Sequence, residues 1–165
     1  IVGAGAIGKK TAKLCKAFGC RVIAYSRSKV EDSVIDRQVP LDELLKEADI
    51  VSLHCPLTKE TKGLIGKEQL EFMKKEAILI NTARGPVVDS KALADALTEG
   101  KIAGAACDVF ETEPPLDTDH PLLHTPNTIV TPHIAFASKE SMEQRAEIVF
   151  DNLYSWMEGK QKNKM

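Results

Sequence analysis

A triplet of glycines at the start of the chain constrains the fold more than any other feature. Gly3, Gly5 and Gly8 stand as Gly-x-Gly-x-x-Gly between two apolar residues and a helix-like stretch, KKTAKLCKAF. In dinucleotide-binding folds the first glycine makes a tight turn, the second lets the backbone approach a pyrophosphate, and the third allows close helix packing. The backbone N–H groups of Ala6 and Ile7 would then face the phosphates. A glycine-rich turn without a ligand is the alternative.

Strand-like and helix-like segments alternate along the rest of the chain. Five short segments, β-branched or continuously apolar, are typical of strands that are buried on both faces: 20–25, 48–55, 76–83, 102–110 and 127–133. Helical periodicity appears at 41–48, 90–100 and 138–157, with Asp89 placed to cap the second helix and Gly100 to end it. The alternation predicts an α/β fold with a doubly wound, Rossmann-type parallel sheet whose first strand is truncated.

The composition argues against several kinds of partner. A chain of 165 residues, 43% of them hydrophobic, can form one globular core. Its net charge of -2, without a basic stripe, disfavours nucleic acid and anionic membranes. No apolar run approaches the roughly 20 residues that cross a bilayer. The four cysteines form no Cys-x-x-Cys pair, which suits free thiols in a reducing compartment, so we expect a cytoplasmic protein.

The end of the second predicted strand bears on the choice of cofactor. In NAD-binding folds an acidic residue about 20 residues after the glycines binds the ribose hydroxyls. Ser26 occupies that place here, and Arg27 and Ser28 follow it. Because no carboxylate would repel a ribose 2′-phosphate, these donors favour NADP over NAD. The alternative is that Arg27 is a solvated surface residue and the ribose is held elsewhere.

Five motifs follow one another along the chain: GAGAIG (3–8), LHCPLTKETKGLIG (53–66), NTARGPVVD (81–89), DVFETEPP (108–115) and TPHIAFAS (131–138). Together they resemble the nucleotide-binding domain of the D-isomer-specific 2-hydroxyacid dehydrogenases, which include phosphoglycerate dehydrogenase and glycerate or hydroxypyruvate reductases. The resemblance covers nearly the whole chain. It implies hydride transfer between a nicotinamide cofactor and a D-2-hydroxy acid or 2-keto acid.

The resemblance implies three catalytic residues. Arg84 matches the family's substrate-binding arginine, whose planar fork suits a carboxylate and polarises the carbonyl. His133 matches the acid/base that protonates the carbonyl oxygen as hydride arrives, and Glu113 matches the carboxylate that favours the imidazolium form. Taken alone, Thr-Pro-His at a strand end is more often a turn with a surface histidine, so that is the alternative for His133, and an ordinary ion pair is the alternative for Arg84 and Glu113.

The same resemblance implies further contacts with the cofactor. Asp108 matches a position near the nicotinamide, where an acceptor would hold the carboxamide. A loop over the adenosine half is implied for His54, Cys55 and Pro56, although core packing is an alternative for Cys55. On the same ground we expect four more residues at the cofactor: Thr61, Thr82, Ala83 and Ala135.

The choice of substrate stays open in the sequence. Many members of the family have Gly-Gly after Pro-His-Ile, whereas this chain has Ala135 and Phe136. The large Phe136 side chain could form a wall of the substrate pocket, and the pair is similar to the Ala-Phe of D-lactate dehydrogenases. The substrate is therefore expected to be a small 2-keto or 2-hydroxy acid of the phosphoglycerate, glycerate/hydroxypyruvate or lactate type.

The resemblance also implies a domain organisation. In this family a substrate domain precedes the glycine strand, so residues 1–165 would form the dinucleotide-binding domain, and helix 138–157 would pack toward a substrate domain missing from the chain. We expect a homodimer, and little turnover by the chain alone. The rival function is an NAD(P)H-sensing, corepressor-like interaction protein of the same fold.

A metal site is not expected. His120 and His124 have the i, i+4 spacing of helical metal ligands, but Pro121 and Pro126 argue against a regular helix through them.

Overall fold

The computed structural model describes residues 1–112 and 116–163, and its contacts divide the chain into two units, Ile1–Pro132 and His133–Met165. The first unit contains six strands: β1 (Ile23–Ala24), β2 (Arg37–Gln38), β3 (Ile50–Leu53), β4 (Ile78–Asn81), β5 (Gly104–Cys107) and β6 (Thr128–Val130). It also contains four helices: α1 (Ala6–Ala17), α2 (Leu41–Glu47), α3 (Lys67–Phe72) and α4 (Ser90–Thr98). Two short 3-10 helices are Gly85–Val87 and Pro121–Leu123. The second unit contains α5 (Lys139–Met157).

All strand pairs are parallel, and Val2 joins two groups of strands. One group is the pair β1–β2, and the other has the order β3-β4-β5-β6. Val2 forms parallel bridges with Tyr25 after β1 and with Leu53 of β3, so the sheet reads β2, β1, Val2, β3, β4, β5, β6. This order, with strands running outward in both directions from the first, confirms the predicted doubly wound α/β fold.

Apolar residues of the strands and helices form two buried clusters. The larger one joins β3, β4 and β5 to α2, α3 and α4, and its fully buried side chains include Leu44, Leu53, Leu70, Leu79 and Leu93. The smaller cluster joins Ala12 of α1 to Ile1, Ala4, Val22 and Ala24. Because the central strands are buried on both faces, they carry continuous apolar runs instead of an alternating pattern.

The predicted segments are confirmed in place, and the observed strands are shorter than predicted. The Asp89 side chain accepts a hydrogen bond of 3.0 Å from the Ala92 N–H, as expected for the cap of α4, and Gly100 follows that helix with φ +66°. Among the strands and α-helices of the described residues, β2 and α3 were not predicted, and neither were the two 3-10 helices. β2 has two exposed residues and α3 has six residues, so neither is long enough to give a periodic signal.

In the second unit, Ser138 caps α5 by accepting a 3.2 Å hydrogen bond from the Ser141 N–H. The apolar side chains of α5 are exposed in this chain, with Phe150 at 59% and Trp156 at 69%. Packing of this helix against a substrate domain therefore stays a prediction. Over residues 1–112 and 116–163, no helix is both long enough and apolar enough to span a membrane.

Candidate functional site

The three glycines of the glycine turn differ in whether the fold requires them. Gly3 has φ +94°, and a Cβ atom there would lie 2.6 Å from the Cys55 nitrogen. A Cβ atom on Gly8 would lie 2.1 Å from the Gly3 carbonyl oxygen. These two glycines are therefore required by the fold, because the backbone leaves no room for a side chain. A Cβ atom on Gly5 would meet nothing within 4 Å, so the fold itself does not require glycine there.

Open space at Gly5 lies at the N-terminus of α1. Gly5 is the N-cap residue of this 12-residue helix and makes no side-chain cap, and the first turn carries no acidic residue. The first N–H groups of a helix have no partner within the helix and attract anions. A phosphate can approach them most closely where the neighbouring residue has no side chain. The turn, which includes Ala6 and Ile7, therefore fits the pyrophosphate of a dinucleotide.

The segment after β1 lies beside this turn, since the Gly3 N–H donates to the Tyr25 carbonyl oxygen over 2.8 Å. Ser26 is half-buried, and Arg27 and Ser28 are exposed. The pKa of Glu60 is lowered by a hydrogen bond from Thr58 and by its own backbone, and also by the charge of Arg27. The charges of Arg27 and Glu60 therefore act on each other.

The end of β3 brings a second predicted segment to the same turn. The His54 N–H donates to the Val2 carbonyl oxygen over 2.7 Å, and His54 Nε2 lies 2.9 Å from the Ser52 hydroxyl. Burial lowers the pKa of the His54 imidazole, which favours its neutral form. Cys55 belongs to the core, where burial raises the pKa of its thiol, so the packing alternative describes its side chain.

The loop that follows Cys55 is closed by its own hydrogen bonds. The Thr61 hydroxyl donates to the Pro56 carbonyl oxygen over 2.6 Å and accepts from the Thr58 N–H over 2.7 Å. The predicted cofactor residues of this loop therefore lie along the same edge of the sheet as the glycine turn. The Thr61 hydroxyl already serves the loop itself.

The end of β4 presents Arg84 through a turn held by a buried amide. Asn81 is 1% exposed; its Oδ1 accepts from the Ala83 N–H, and its Nδ2 donates to the Arg84 carbonyl oxygen, each over 3.1 Å. Thr82 and Arg84 are exposed, and Arg84 Nη1 donates to the Ala83 carbonyl oxygen over 2.6 Å. The strand-end position predicted for Arg84 is confirmed, and its backbone is fixed by Asn81.

Gly85 ties this turn to the neighbouring strand end. A Cβ atom at position 85 would lie 1.8 Å from the Phe110 carbonyl oxygen, so the two backbones are in contact. Beside them, Asp108 is 3% exposed; its N–H donates to the Asn81 carbonyl oxygen over 3.0 Å, and its carboxylate accepts from the Thr131 hydroxyl over 2.5 Å. The ends of β4, β5 and β6 are thus linked through polar groups.

The three predicted catalytic residues fall in different parts of the chain. Arg84 belongs to the first unit, His133 begins the second, and Glu113 lies outside the described residues. Within the second unit the His133 ring meets the Phe136 ring edge-on, with centroids 5.7 Å apart, and Ala135 between them is exposed. His133 has φ +57°, an uncommon backbone conformation outside glycine that is concentrated at functional sites.

Three polar residues of the site were missed at the level of sequence. Asn81 and Gln38 bind loop backbones, and Glu111 joins the Ser90 hydroxyl to His120, whose Nε2 lies 3.2 Å from the Glu111 carboxylate. Asn81 could have been found from the sequence, because it is a polar residue at the end of an otherwise apolar strand. The sequence gives no such indication for Gln38, whose partners are 8 to 12 residues away, or for Glu111, whose partners are 9 and 21 residues away.

The two histidines with helical spacing turn to different partners. His120 meets Glu111, whereas His124 Nε2 bonds to the Thr118 carbonyl oxygen over 2.6 Å. Within the part of the chain that the structure describes, no group of three or more His, Cys, Asp or Glu side chains is placed to hold a metal ion.

Comparison with known proteins identifies the family. Residues 1–135 match the family described as D-isomer specific 2-hydroxyacid dehydrogenase, NAD binding domain. Glyoxylate reductase from Korarchaeum cryptofilum is 50% identical over 162 residues, which are 96% of this chain and 48% of that enzyme. The chain thus spans about half the length of the curated relatives it matches.

Solved structures agree with this assignment. The structure of D-lactate dehydrogenase with NAD⁺ from Lactobacillus jensenii superposes with a TM-score of 0.86 at 37% identity, covering 97% of this chain and 52% of that one. An acyclic imino acid reductase in complex with NADPH and D-Arg gives a TM-score of 0.90 at 34% identity, covering 99% and 52%. The chain belongs to the D-isomer specific 2-hydroxyacid dehydrogenases, and its residues 1–135 match their NAD-binding domain.

Proposed function

We propose that this chain is the dinucleotide-binding part of an enzyme that transfers hydride between NADPH or NADH and a small 2-keto acid, with NADP preferred. The observation that carries the proposal is the open space at Gly5, between two glycines that the backbone contacts fully explain. A glycine at that position leaves room for a ligand that approaches the backbone closely. The N-terminus of α1 next to it suits a pyrophosphate.

The bound nicotinamide would supply the hydride, and the residues of this chain would prepare the acceptor. Arg84 is exposed at a strand end, where open α/β sheets bind their ligands, and Asn81 fixes its backbone. Its guanidinium would bind the substrate carboxylate through two parallel hydrogen bonds and polarise the adjacent carbonyl. Asp108 would hold the cofactor carboxamide and so select the reacting face.

His133 would complete the reduction by donating a proton to the carbonyl oxygen as hydride reaches the carbonyl carbon, giving the 2-hydroxy acid. In the oxidative direction the same nitrogen would accept that proton. Glu113 would favour the protonated imidazole through its charge. These three roles rest on the motif resemblance and on the chemistry that a 2-keto acid requires.

The preference for NADP rests on the segment after β1. Ser26, Arg27 and Ser28 place hydroxyl and guanidinium donors where a carboxylate would otherwise bind the ribose, and two of the three side chains are exposed. Relatives of this fold have been solved with NAD and with NADPH, so both cofactors are compatible with the scaffold.

We also propose a cytoplasmic homodimer. All four cysteines are free, as expected in a reducing compartment. Large apolar side chains are exposed on α1, with Leu14 at 63%, directly after it, with Phe18 at 87%, and on α5, with Trp156 at 69%; such exposed groups favour association.

The test is turnover by the full-length protein that contains this chain, with glyoxylate, hydroxypyruvate or pyruvate and either cofactor. The Arg84→Gln variant is expected to lose about 10²–10⁴-fold in kcat/KM, because its fork can no longer bind the carboxylate and stabilise developing charge. The matched control, Arg21→Gln, changes an exposed arginine that pairs with Glu47 and is expected to stay within about twofold. Absence of turnover by the wild type, or full activity of Arg84→Gln, would contradict the proposal.

A further inference from the structure

The loop after β1 is held by one side chain of the neighbouring strand β2. Gln38 Nε2 donates to the carbonyl oxygens of Ser26 and Ser28, each over 2.9 Å. Gln38 Oε1 accepts from the Val30 N–H over 2.9 Å. A single amide therefore closes a five-residue loop, 26–30, by three hydrogen bonds to its backbone.

The geometry fixes both the amide and the loop. Its oxygen faces a donor and its nitrogen faces two acceptors, so only one of the two orientations of the amide satisfies all three bonds. The root of the side chain is anchored as well, because Gln38 pairs with Ala24 in the parallel strands and the Val39 N–H donates to the Ala24 carbonyl oxygen over 2.9 Å. The loop is thus attached to the sheet through β1 and again through Gln38.

In the sequence, Arg27 lies between Ser26 and Ser28, whose carbonyl oxygens accept hydrogen bonds from Gln38. Two other charges of this loop region are already paired, since Lys29 Nζ lies 2.8 Å from Glu31. Carbonyl oxygens that turned toward a phosphate would repel it, whereas these two are engaged by an amide donor. Because Gln38 already orders the loop, less conformational entropy is lost when its hydroxyl and guanidinium donors bind a phosphate.

We propose that Gln38 is a positioning residue for the ribose 2′-phosphate: by holding the carbonyl oxygens of Ser26 and Ser28, it orders the loop that presents Arg27 to that phosphate. The inference rests on the proposed preference for NADP and adds to it a residue that does not itself touch the cofactor. Gln38 acts on the selectivity between NADPH and NADH, and only through Arg27.

The test is a double-mutant cycle on the affinities of the purified chain for NADPH and NADH, followed by nicotinamide fluorescence. The four proteins are wild type, Gln38→Leu, Arg27→Gln and the double variant. Gln38→Leu is expected to lower the ratio of the NADH Kd to the NADPH Kd by about 3- to 10-fold, the value of one or two hydrogen bonds, while the NADH Kd stays within about twofold. In the Arg27→Gln background the same change is expected to leave the ratio unaltered.

Two further variants separate positioning from general stability. Gln38→Glu retains the acceptor for Val30 but cannot donate, so it is expected to lower the ratio as Gln38→Leu does. Gln69→Leu removes another amide that holds loop backbone, at Gly66, and is expected to leave the ratio unchanged.

An equal loss of affinity for both cofactors in Gln38→Leu, or an unchanged ratio, would overturn the role of Gln38 and leave the NADP preference standing. A wild type that prefers NADH would overturn both, while keeping the dinucleotide site. Binding of neither cofactor would overturn the proposed function itself.

Discussion

The Cα of Gly8 packs against the backbone of Gly3, so closely that a Cβ atom on Gly8 would lie 2.1 Å from the Gly3 carbonyl oxygen. This contact holds the first turn of α1 against Gly3, the residue after Val2, and Val2 bridges Tyr25 to Leu53 of β3. The outer glycines of the motif therefore belong to the folding of the sheet. The middle glycine, Gly5, has no such contact, and we propose that it leaves room for the cofactor pyrophosphate.

Replacing Gly5 with alanine should separate folding from binding. Because a Cβ atom at Gly5 has no neighbour within 4 Å and φ is −75°, Gly5→Ala is expected to unfold within about 2 °C of the wild type. Its affinity for NADH and NADPH should fall at least about tenfold, since the added methyl group occupies the space of the pyrophosphate. Thermal unfolding and a fluorescence titration give the two measurements.

The contrasting variant is Gly8→Ala, which should lose about 2 kcal/mol or more of stability because its methyl group meets backbone. Equal affinity of Gly5→Ala and wild type for both cofactors would show that the open space has another cause.

The buried amide of Asn81 should be worth more to stability than an exposed one. Asn81→Leu leaves the buried Ala83 N–H without its partner, at an expected cost of about 1–3 kcal/mol, whereas the Arg84 carbonyl oxygen still accepts from the Val87 N–H. The control is Gln144→Leu on the exposed surface of α5, expected to change stability by less than about 0.5 kcal/mol. Urea denaturation gives both values, and equal midpoints for the two variants would contradict the role of Asn81.

The sequence predicted the fold better than it predicted the contacts within the site. Continuous apolar runs marked β3, β4 and β5 because these strands are buried on both faces. The order of the predicted strands and helices along the chain was enough to place the glycine motif and to put Arg84 at the end of a strand. Local pattern does not encode how an exposed side chain such as Gln38 reaches a loop on the adjacent strand, because that contact depends on the pairing of β1 with β2.

The sequence also failed to predict the shortest pieces of the sheet. The sheet bridges of Val2 involve a single residue, and β2 involves two exposed residues, so neither has an apolar pattern of its own. Their pairing is imposed by the tertiary structure around them.

The cysteines should differ in reactivity according to burial. Burial raises the pKa of Cys107 to about 12 and also raises that of Cys55, whereas Cys20 is exposed. Only the thiolate reacts, so at pH 8 Cys107 should be protected from N-ethylmaleimide while Cys20 is labelled within minutes. Mass spectrometry of the native chain should locate the label at Cys20 first, and in concentrated urea at all four cysteines. Native labelling of Cys107 at the rate of Cys20 would contradict this order.

Removing the charge of Glu60 should strengthen NADPH binding. The charge of Arg27 contributes to the lowered pKa of Glu60, so the Glu60 carboxylate in turn reduces the positive potential that Arg27 would offer a 2′-phosphate. Glu60→Gln is expected to lower the NADPH Kd by about two- to fivefold and to leave the NADH Kd unchanged, because exposed charges interact weakly. Glu68→Gln, an exposed change on α3, is the control. Weaker NADPH binding by Glu60→Gln would place the phosphate away from Arg27.

The acid dependence of stability should contain a contribution from Glu111. Burial raises its pKa, but hydrogen bonds from Ser90, from its own backbone and from His120 outweigh that effect, so the pKa lies below the ordinary 4.5. Because the pKa of Glu111 is lower in the folded state, its ionised carboxylate stabilises the fold at pH values above the ordinary pKa. This stabilisation is lost as the pH falls through the pKa of the folded state.

The difference in unfolding free energy between wild type and Glu111→Gln is therefore expected to be constant above about pH 5.5 and to shrink on acidification below about pH 4.5. Chemical denaturation across this range measures it. A difference that grows toward low pH would reverse the assigned sign.

The most direct test of the proposed dinucleotide site is a fluorescence titration of the purified 165-residue chain with NADPH and NADH, with Gly5→Ala measured beside it. The expected result is saturable binding of both cofactors to the wild type, tighter for NADPH, and loss of binding in a Gly5→Ala variant that remains folded. Absence of binding by a folded wild-type chain, or undiminished binding by Gly5→Ala, would contradict the assignment of the glycine turn as the dinucleotide site.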